Sequence, residues 1–100
     1  ITNKRNLANK YETFFKSIDY KFFKELKNCK SNYWLNCIIL KNKYKRDQFL
    51  RETNSKGIMT RPIWILMNKL PMYKNSQCDD LKNSNWLYER VVNIPSSVTL

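Results

Sequence analysis

The stretch from Asn32 to Leu40 constrains the fold of this chain more than any other. It reads Asn-Tyr-Trp-Leu-Asn-Cys-Ile-Ile-Leu, an aromatic and β-branched run of strand length. Its near-continuous apolarity predicts a strand buried on both faces and therefore central in its sheet. The flanking segments have to supply the neighbours.

Upstream, Leu7, Tyr11, Phe14, Phe15 and Ile18 recur at helical spacing. That predicts a helix from Thr2 to Ile18 with one apolar stripe. No clear N-cap precedes it, as expected of a helix that continues upstream in a longer protein. Tyr20 to Leu26 reads as a short strand or an extended segment, and Asn28 to Ser31 as a turn. Downstream, Lys41 to Lys45 is a polar connection. Arg46 to Lys56 reads as a second helix with Phe49, Leu50 and Thr53 inward. Gly57, the only glycine, stands where that helix should end, because glycine enters the left-handed conformation cheaply. Ile58 to Arg61 is expected as a short strand stopped by Pro62, which cannot donate a ladder hydrogen bond. Ile63 to Ser76 is irregular yet apolar, and such a segment needs something to pack against. Asp79 or Asp80 is expected to cap a third helix running to about Arg90, with Leu81, Leu87 and Val91 inward. Val91 to Ile94 is a last short strand, closed by Pro95.

This order predicts an α+β domain: a small, largely antiparallel sheet of three or four short strands with helices packed on one face. A length of 100 residues suits one domain. Hydrophobic residues make up 42% of the chain, enough for a core and too many for a disordered segment. The net charge of +11 attracts polyanions in principle. It equally fits a chain in which lysine and asparagine are simply common.

Three cysteines, Cys29, Cys37 and Cys78, form no CxxC pair, and there is no histidine. A disulfide framework and a Cys/His zinc site are not expected. Reduced thiols in a cytoplasmic protein are. No apolar run approaches the ~20 residues of a membrane span, and no signal peptide is visible. The chain begins at Ile1 in apparent helix, as a fragment of a longer protein would.

Catalytic constellations are scarce. Without histidine, Ser-His-Asp and Cys-His arrangements cannot form within the chain. A glycine-rich phosphate loop is missing. A Schiff-base lysine needs a desolvated pocket, and every lysine sits among polar neighbours. The most unusual stretch is Gly57 to Tyr73, GIMTRPIWILMNKLPMY. Arg61 is near Trp64 there, with Asn68 and Lys69 close behind. A guanidinium beside an aromatic suits an anionic ligand. The plainer alternative makes Trp64, Leu66 and Met67 ordinary core and Arg61 a solvated surface group.

GIMTRPIWILMNKLPMYK, followed by a helix and then VVNIPSS, resembles the C-terminal end of the DegT/DnrJ/EryC1/StrS sugar aminotransferases. That family has a helix-Gly-Ile strand, an Arg-Pro-aromatic turn, a proline-aromatic step (here Pro71 to Tyr73) and a final strand ending in proline (here Ile94-Pro95-Ser96). The segment Lys4-Arg5 to Phe15 resembles the family's interdomain helix, and SNYWLNCIIL its first sheet strand. The Asn-Tyr-Trp-Leu-Asn and Asn-Ile-Pro-Ser-Ser stretches look closest to enzymes that aminate nucleotide-linked deoxysugars on the way to nonulosonic acids such as legionaminic acid.

The resemblance implies residues 1–18 in an interdomain helix and 19–100 in a C-terminal small domain, with the cofactor-binding N-terminal domain outside this chain. It implies a pyridoxal-phosphate-dependent homodimer moving an amino group from an amino acid such as glutamate to a keto nucleotide sugar. The cofactor supplies the electron sink. The internal lysine would lie in the missing domain, leaving this chain inactive alone. Arg61, Trp64 and Asn68 become the residues expected to face the nucleotide sugar. Many relatives carry histidine where Asn68 stands, and Gln-Pro where this chain has Leu70-Pro71. The competing reading is a small basic nucleic-acid-binding module with Tyr33 or Trp34 stacking on bases. Against it, the glycine-dependent RNA-binding strand pattern is missing. Freed of a larger domain, Trp64, Met67 and Met72 would be bare, and the chain is expected to self-associate.

Overall fold

The computed structural model describes residues 1–18 and 20–97. Helix α1 spans Thr2–Lys16, followed by strand β1 (Lys21–Phe22) and strand β2 (Asn36–Ile39). Helix α2 (Lys43–Ser55) and strand β3 (Arg61–Pro62) come next. Two single 3-10 turns, Met67–Lys69 and Pro71–Tyr73, precede helix α3 (Lys82–Tyr88) and strand β4 (Val91–Ile94). The four strands form one antiparallel sheet in the order β1-β2-β4-β3. This is the small α+β architecture expected from the sequence.

Strand β2 is internal, as its composition predicted, but it is much shorter than the apolar run. Tyr33 adopts φ 48°, a left-handed conformation that an aromatic residue rarely takes. Strand geometry therefore cannot begin until Asn36, and Trp34 and Leu35 stay exposed. Burial on both faces is also corrected. Asn36, Ile38 and the following Leu40 are buried, whereas Cys37 and Ile39 are half-buried. Period-two alternation sends the first set to the helix-covered face.

That face carries the core. Phe15, Ile38, Leu40, Val92 and Ile94 form its buried cluster, and Tyr11, Tyr20, Phe22, Phe49 and Leu50 pack against it. Register explains the pairing: Ile38 lies opposite Val92 on one side and Phe22 on the other. Phe15 stacks on Phe22 at 6.5 Å, and Tyr20 meets Phe49 edge-on at 5.8 Å. Both α1 and α2 thus seal the same face. Within α1, Ala8 and Phe15 are buried. Phe14 and Ile18 are exposed, so they lie off the predicted stripe. The helix ends at Lys16 because Ser17 and Ile18 donate to carbonyls only three residues back, at 3.2 and 3.4 Å.

Helix α2 begins earlier than predicted. Asn42 caps it by accepting the Lys45 N–H at 2.8 Å. Its C-terminus is as expected. Gly57 has φ 77°. The Ile58 and Gly57 N–H groups donate to Thr53 and Asn54 carbonyls at 2.9 and 3.1 Å, a Schellman closure. Arg46 is buried, donates to the Tyr88 carbonyl at 2.6 Å and pairs with Asp47, tying α2 to the end of α3.

Two further expectations change. Pro62 does not stop a strand over Ile58 to Arg61; it lies in β3, opposite Val92. An edge strand tolerates a residue with no N–H. Helix α3 is shorter than the predicted Asp79-to-Arg90 span, and neither aspartate is its cap. Leu81 takes φ 51° and precedes the helix. Asp79 and Asp80 instead accept the N–H groups two residues on, from Leu81 at 2.8 Å and Lys82 at 3.2 Å. Among the described residues, no helix is long and apolar enough to cross a membrane.

Candidate functional site

At the β3 end of the sheet lies a groove of about 800 Å³, lined among others by Lys4, Trp34, Arg61, Trp64, Asn93 and Ser96. Its walls come from elements distant in sequence. Trp34 precedes β2, and Trp64 follows β3. Their rings are 6.3 Å apart and tilted by 54°. Trp34 is 62% exposed and Trp64 75% exposed. Two large aromatic rings left this open mark an interaction surface.

Register positions Arg61. It pairs with Asn93 across β3 and β4, so the two side chains leave the sheet on the same face. The guanidinium is steadied by α2: its Nη1 donates to Asn54 Oδ1 at 2.9 Å and to the Thr60 carbonyl at 2.7 Å. Behind it, buried Thr60 meets Thr53 Oγ1 at 2.6 Å, and Asn54 Nδ2 donates to Thr60 Oγ1 at 3.0 Å. The C-terminal turn of α2 therefore sets the direction of Arg61. Among the described residues Arg61 has no carboxylate partner, so its charge is available to a ligand.

On the opposite rim, Lys4 Nζ donates to the Ser96 carbonyl and, at 3.5 Å, to the Trp34 carbonyl. Ser96 also accepts the Asn36 N–H at 2.8 Å and donates to the Ile94 carbonyl at 2.8 Å. Tyr11 donates to the Pro95 carbonyl at 2.7 Å. Burial pushes the Tyr11 hydroxyl above its ordinary pKa, so it remains a donor. Two cations, Lys4 and Arg61, and no carboxylate line the groove among its described residues. Such a site favours an anion next to an aromatic or apolar group.

Of the residues singled out in the sequence, Arg61 and Trp64 line this groove. Asn68 does not. It lies in a separate hollow of about 300 Å³ with Tyr73, Cys78 and Ser84. Its Oδ1 is buried and has no hydrogen-bond partner among the described residues. Sequence reasoning missed Lys4, and it raised Trp34 only in the competing nucleic-acid reading, as a ring stacking on bases. Lys4 looked like the wet side of α1, and Trp34 like the inside of a strand. Only Asn32 carried a hint, since asparagine suits turns; Tyr33 pointed the other way, toward a strand. Among the described residues, no three His, Cys, Asp or Glu side chains are grouped to hold a metal.

Comparison with known proteins gives this groove a context. The family model described as the DegT/DnrJ/EryC1/StrS aminotransferase family matches residues 1–100. The chain belongs to that family. No curated protein matches it. Solved structures that share the fold include two aminotransferases. The aminotransferase TlmJ from Streptoalloteichus hindustanus superposes with a TM-score of 0.84 at 16% identity, over 96% of this chain. The sugar aminotransferase CalS13 from Micromonospora echinospora superposes with a TM-score of 0.81 at 19% identity, over 95% of this chain. The chain spans about a quarter of each, 26% and 25% of their lengths.

Pyridoxal phosphate, the cofactor implied by the family resemblance, does not fit the residues present here. An internal lysine needs a desolvated amine, yet every lysine but Lys4 is exposed. The Lys4 amine is committed to two backbone carbonyls. The one glycine, Gly57, sits at a helix end and not in a phosphate cradle. No step through that cofactor is assigned to this chain.

Proposed function

We propose that this chain is the C-terminal, substrate-side domain of a cytoplasmic sugar aminotransferase that works as a homodimer. The observation that carries the reading is the family match over the whole chain. The superposition on one aminotransferase and one sugar aminotransferase is consistent with it. In this reading the remainder of the polypeptide holds pyridoxal phosphate, which serves as the electron sink when bound. The groove residues do the recognition. Trp34 and Trp64 offer flat apolar surface to a base or sugar ring. Arg61 and Lys4 offer positive charge to a diphosphate. Asn93, on the same face as Arg61, offers an amide to sugar hydroxyls. The substrate proposed is a keto nucleotide sugar, with glutamate as the amino donor. The Asn-Tyr-Trp-Leu-Asn and Asn-Ile-Pro-Ser-Ser stretches narrow the proposal to sugars on the way to nonulosonic acids.

The test uses the complete reading frame. Purified protein is given pyridoxal phosphate, and its visible spectrum is recorded before and after glutamate. Loss of the internal-aldimine band with gain of the aminated-cofactor band is the expected outcome. A well-folded complete protein with no cofactor band would overturn the reading.

A further inference from the structure

The segment 23–35 crosses from β1 to β2 without helix or strand. Its course is set by one carboxylate. Glu25 accepts both arms of the Arg5 guanidinium, Nη2 to Oε1 at 2.7 Å and Nη1 to Oε2 at 3.0 Å. The same carboxylate accepts the Ser31 N–H at 2.6 Å, while Arg5 Nη1 also donates to the Ser31 carbonyl at 2.7 Å. Tyr33 completes the ring. Its hydroxyl accepts the Glu25 N–H at 3.0 Å, and its ring lies 5.5 Å beneath the Arg5 guanidinium carbon. Every polar arm of the cluster points at a group that fixes the backbone between Glu25 and Tyr33.

The next residue is Trp34. Its N–H donates to Asn32 Oδ1 at 2.9 Å, and its carbonyl accepts from Lys4, one residue before Arg5 on α1. The left-handed Tyr33, at φ 48°, is what turns Trp34 out of the strand direction and toward Trp64. A bulky residue does not hold that conformation unaided. The hydrogen bond from its N–H to Ser31 Oγ at 3.0 Å, the bond at its hydroxyl and its contact with Arg5 hold it there.

We propose that Arg5 and Glu25 are positioning residues that act through Tyr33 to hold Trp34 as one wall of the Trp34–Trp64 groove, against the base of a nucleoside diphosphate. The inference rests on the reading of the groove as the nucleotide-sugar site. A bidentate guanidinium–carboxylate pair has directional preference as well as strength. Replacing either partner relaxes the direction even where the charge survives. The hydrogen bonds of the pair reach Ser31 and Tyr33 and none reaches Trp64 or Arg61 among the described residues, so the route to the groove that these bonds provide runs through Trp34.

The experiment uses the complete polypeptide and uridine diphosphate as the probe. The variants are Glu25→Gln, Arg5→Lys, Trp34→Ala and the pair Glu25→Gln with Trp34→Ala. Hydrogen exchange without ligand comes first. Faster exchange confined to 24–35 in Glu25→Gln and Arg5→Lys is expected; unchanged exchange there overturns the inference. Binding comes second. Glu25→Gln and Trp34→Ala each weaken uridine diphosphate by roughly tenfold, and the pair is no weaker than Trp34→Ala alone, as expected of residues acting in series. Additive losses would mean that Glu25 acts elsewhere, and they overturn the inference. If the unaltered protein does not bind uridine diphosphate, the nucleotide reading of the groove falls and takes the ligand half of the inference with it. The exchange result still decides whether the pair holds Trp34.

Discussion

Ile38→Ala tests the centre of the structure most directly. Ile38 is wholly buried, between Phe22 on β1 and Val92 on β4. The substitution removes three carbons, and at about 0.8 kcal/mol for each the transfer term alone is roughly 2.4 kcal/mol. A cavity term adds to it, and its size depends on how far the surroundings collapse. Here they are restrained. β2 is hydrogen-bonded on both sides, and the ring stack of Phe15 on Phe22 holds the helix-facing wall. We therefore expect a loss of about 4 kcal/mol, toward the upper end of the range for such truncations. For a chain of this size that lowers the melting temperature by roughly 15–30 °C. Urea unfolding followed by circular dichroism measures it. Ile39→Ala is the control: it shares the strand but faces away from the helices and is half-buried. It should cost no more than about 2 kcal/mol, because less apolar surface is lost from water. If Ile38→Ala costs no more than Ile39→Ala, the helix-facing cluster is not the principal core.

Three further outcomes follow from particular residues. Gly57→Ala meets no atom within 4 Å of its new Cβ, so its cost is that of the left-handed backbone alone, about 1–2 kcal/mol; urea unfolding that shows no loss would refute the role given to this turn. The Glu25 carboxyl is held down to about 2, from the usual 4.5, chiefly by the Arg5 guanidinium and then by the Ser31 N–H. Because the folded pKa is the lower one, the stabilisation is present above the ordinary value and is lost as pH falls from 4.5 toward 2. Carboxyl carbon-13 NMR should place the midpoint near the lower figure, and a midpoint near the ordinary one would dissolve the proposed pairing. Cys29 and Cys78 are exposed, whereas Cys37 is half-buried in β2 and burial pushes its thiol pKa up. An aromatic disulfide reagent should label the first two quickly and Cys37 only slowly; equal rates would count against the placement of β2.

Local physics made much of the fold legible in the sequence. Helical spacing revealed α1 and α2, the single glycine marked the end of α2, and the apolar run around Ile38 announced an internal strand. These features depend on period, chirality and burial over a few residues. Half of the candidate site was readable for the same reason: Arg61 and Trp64 lie three residues apart. The tertiary structure decided the rest. Tyr33 takes its left-handed turn because Arg5 and Glu25, twenty residues apart, meet there. Pro62 enters the sheet because β3 happens to be its edge. Trp34 reaches Trp64 across thirty residues, through strand register and a lysine on α1. Asn68, four residues from Trp64, opens into a different hollow. No local pattern encodes these placements, because each is settled by which backbone groups find partners when distant segments are brought together.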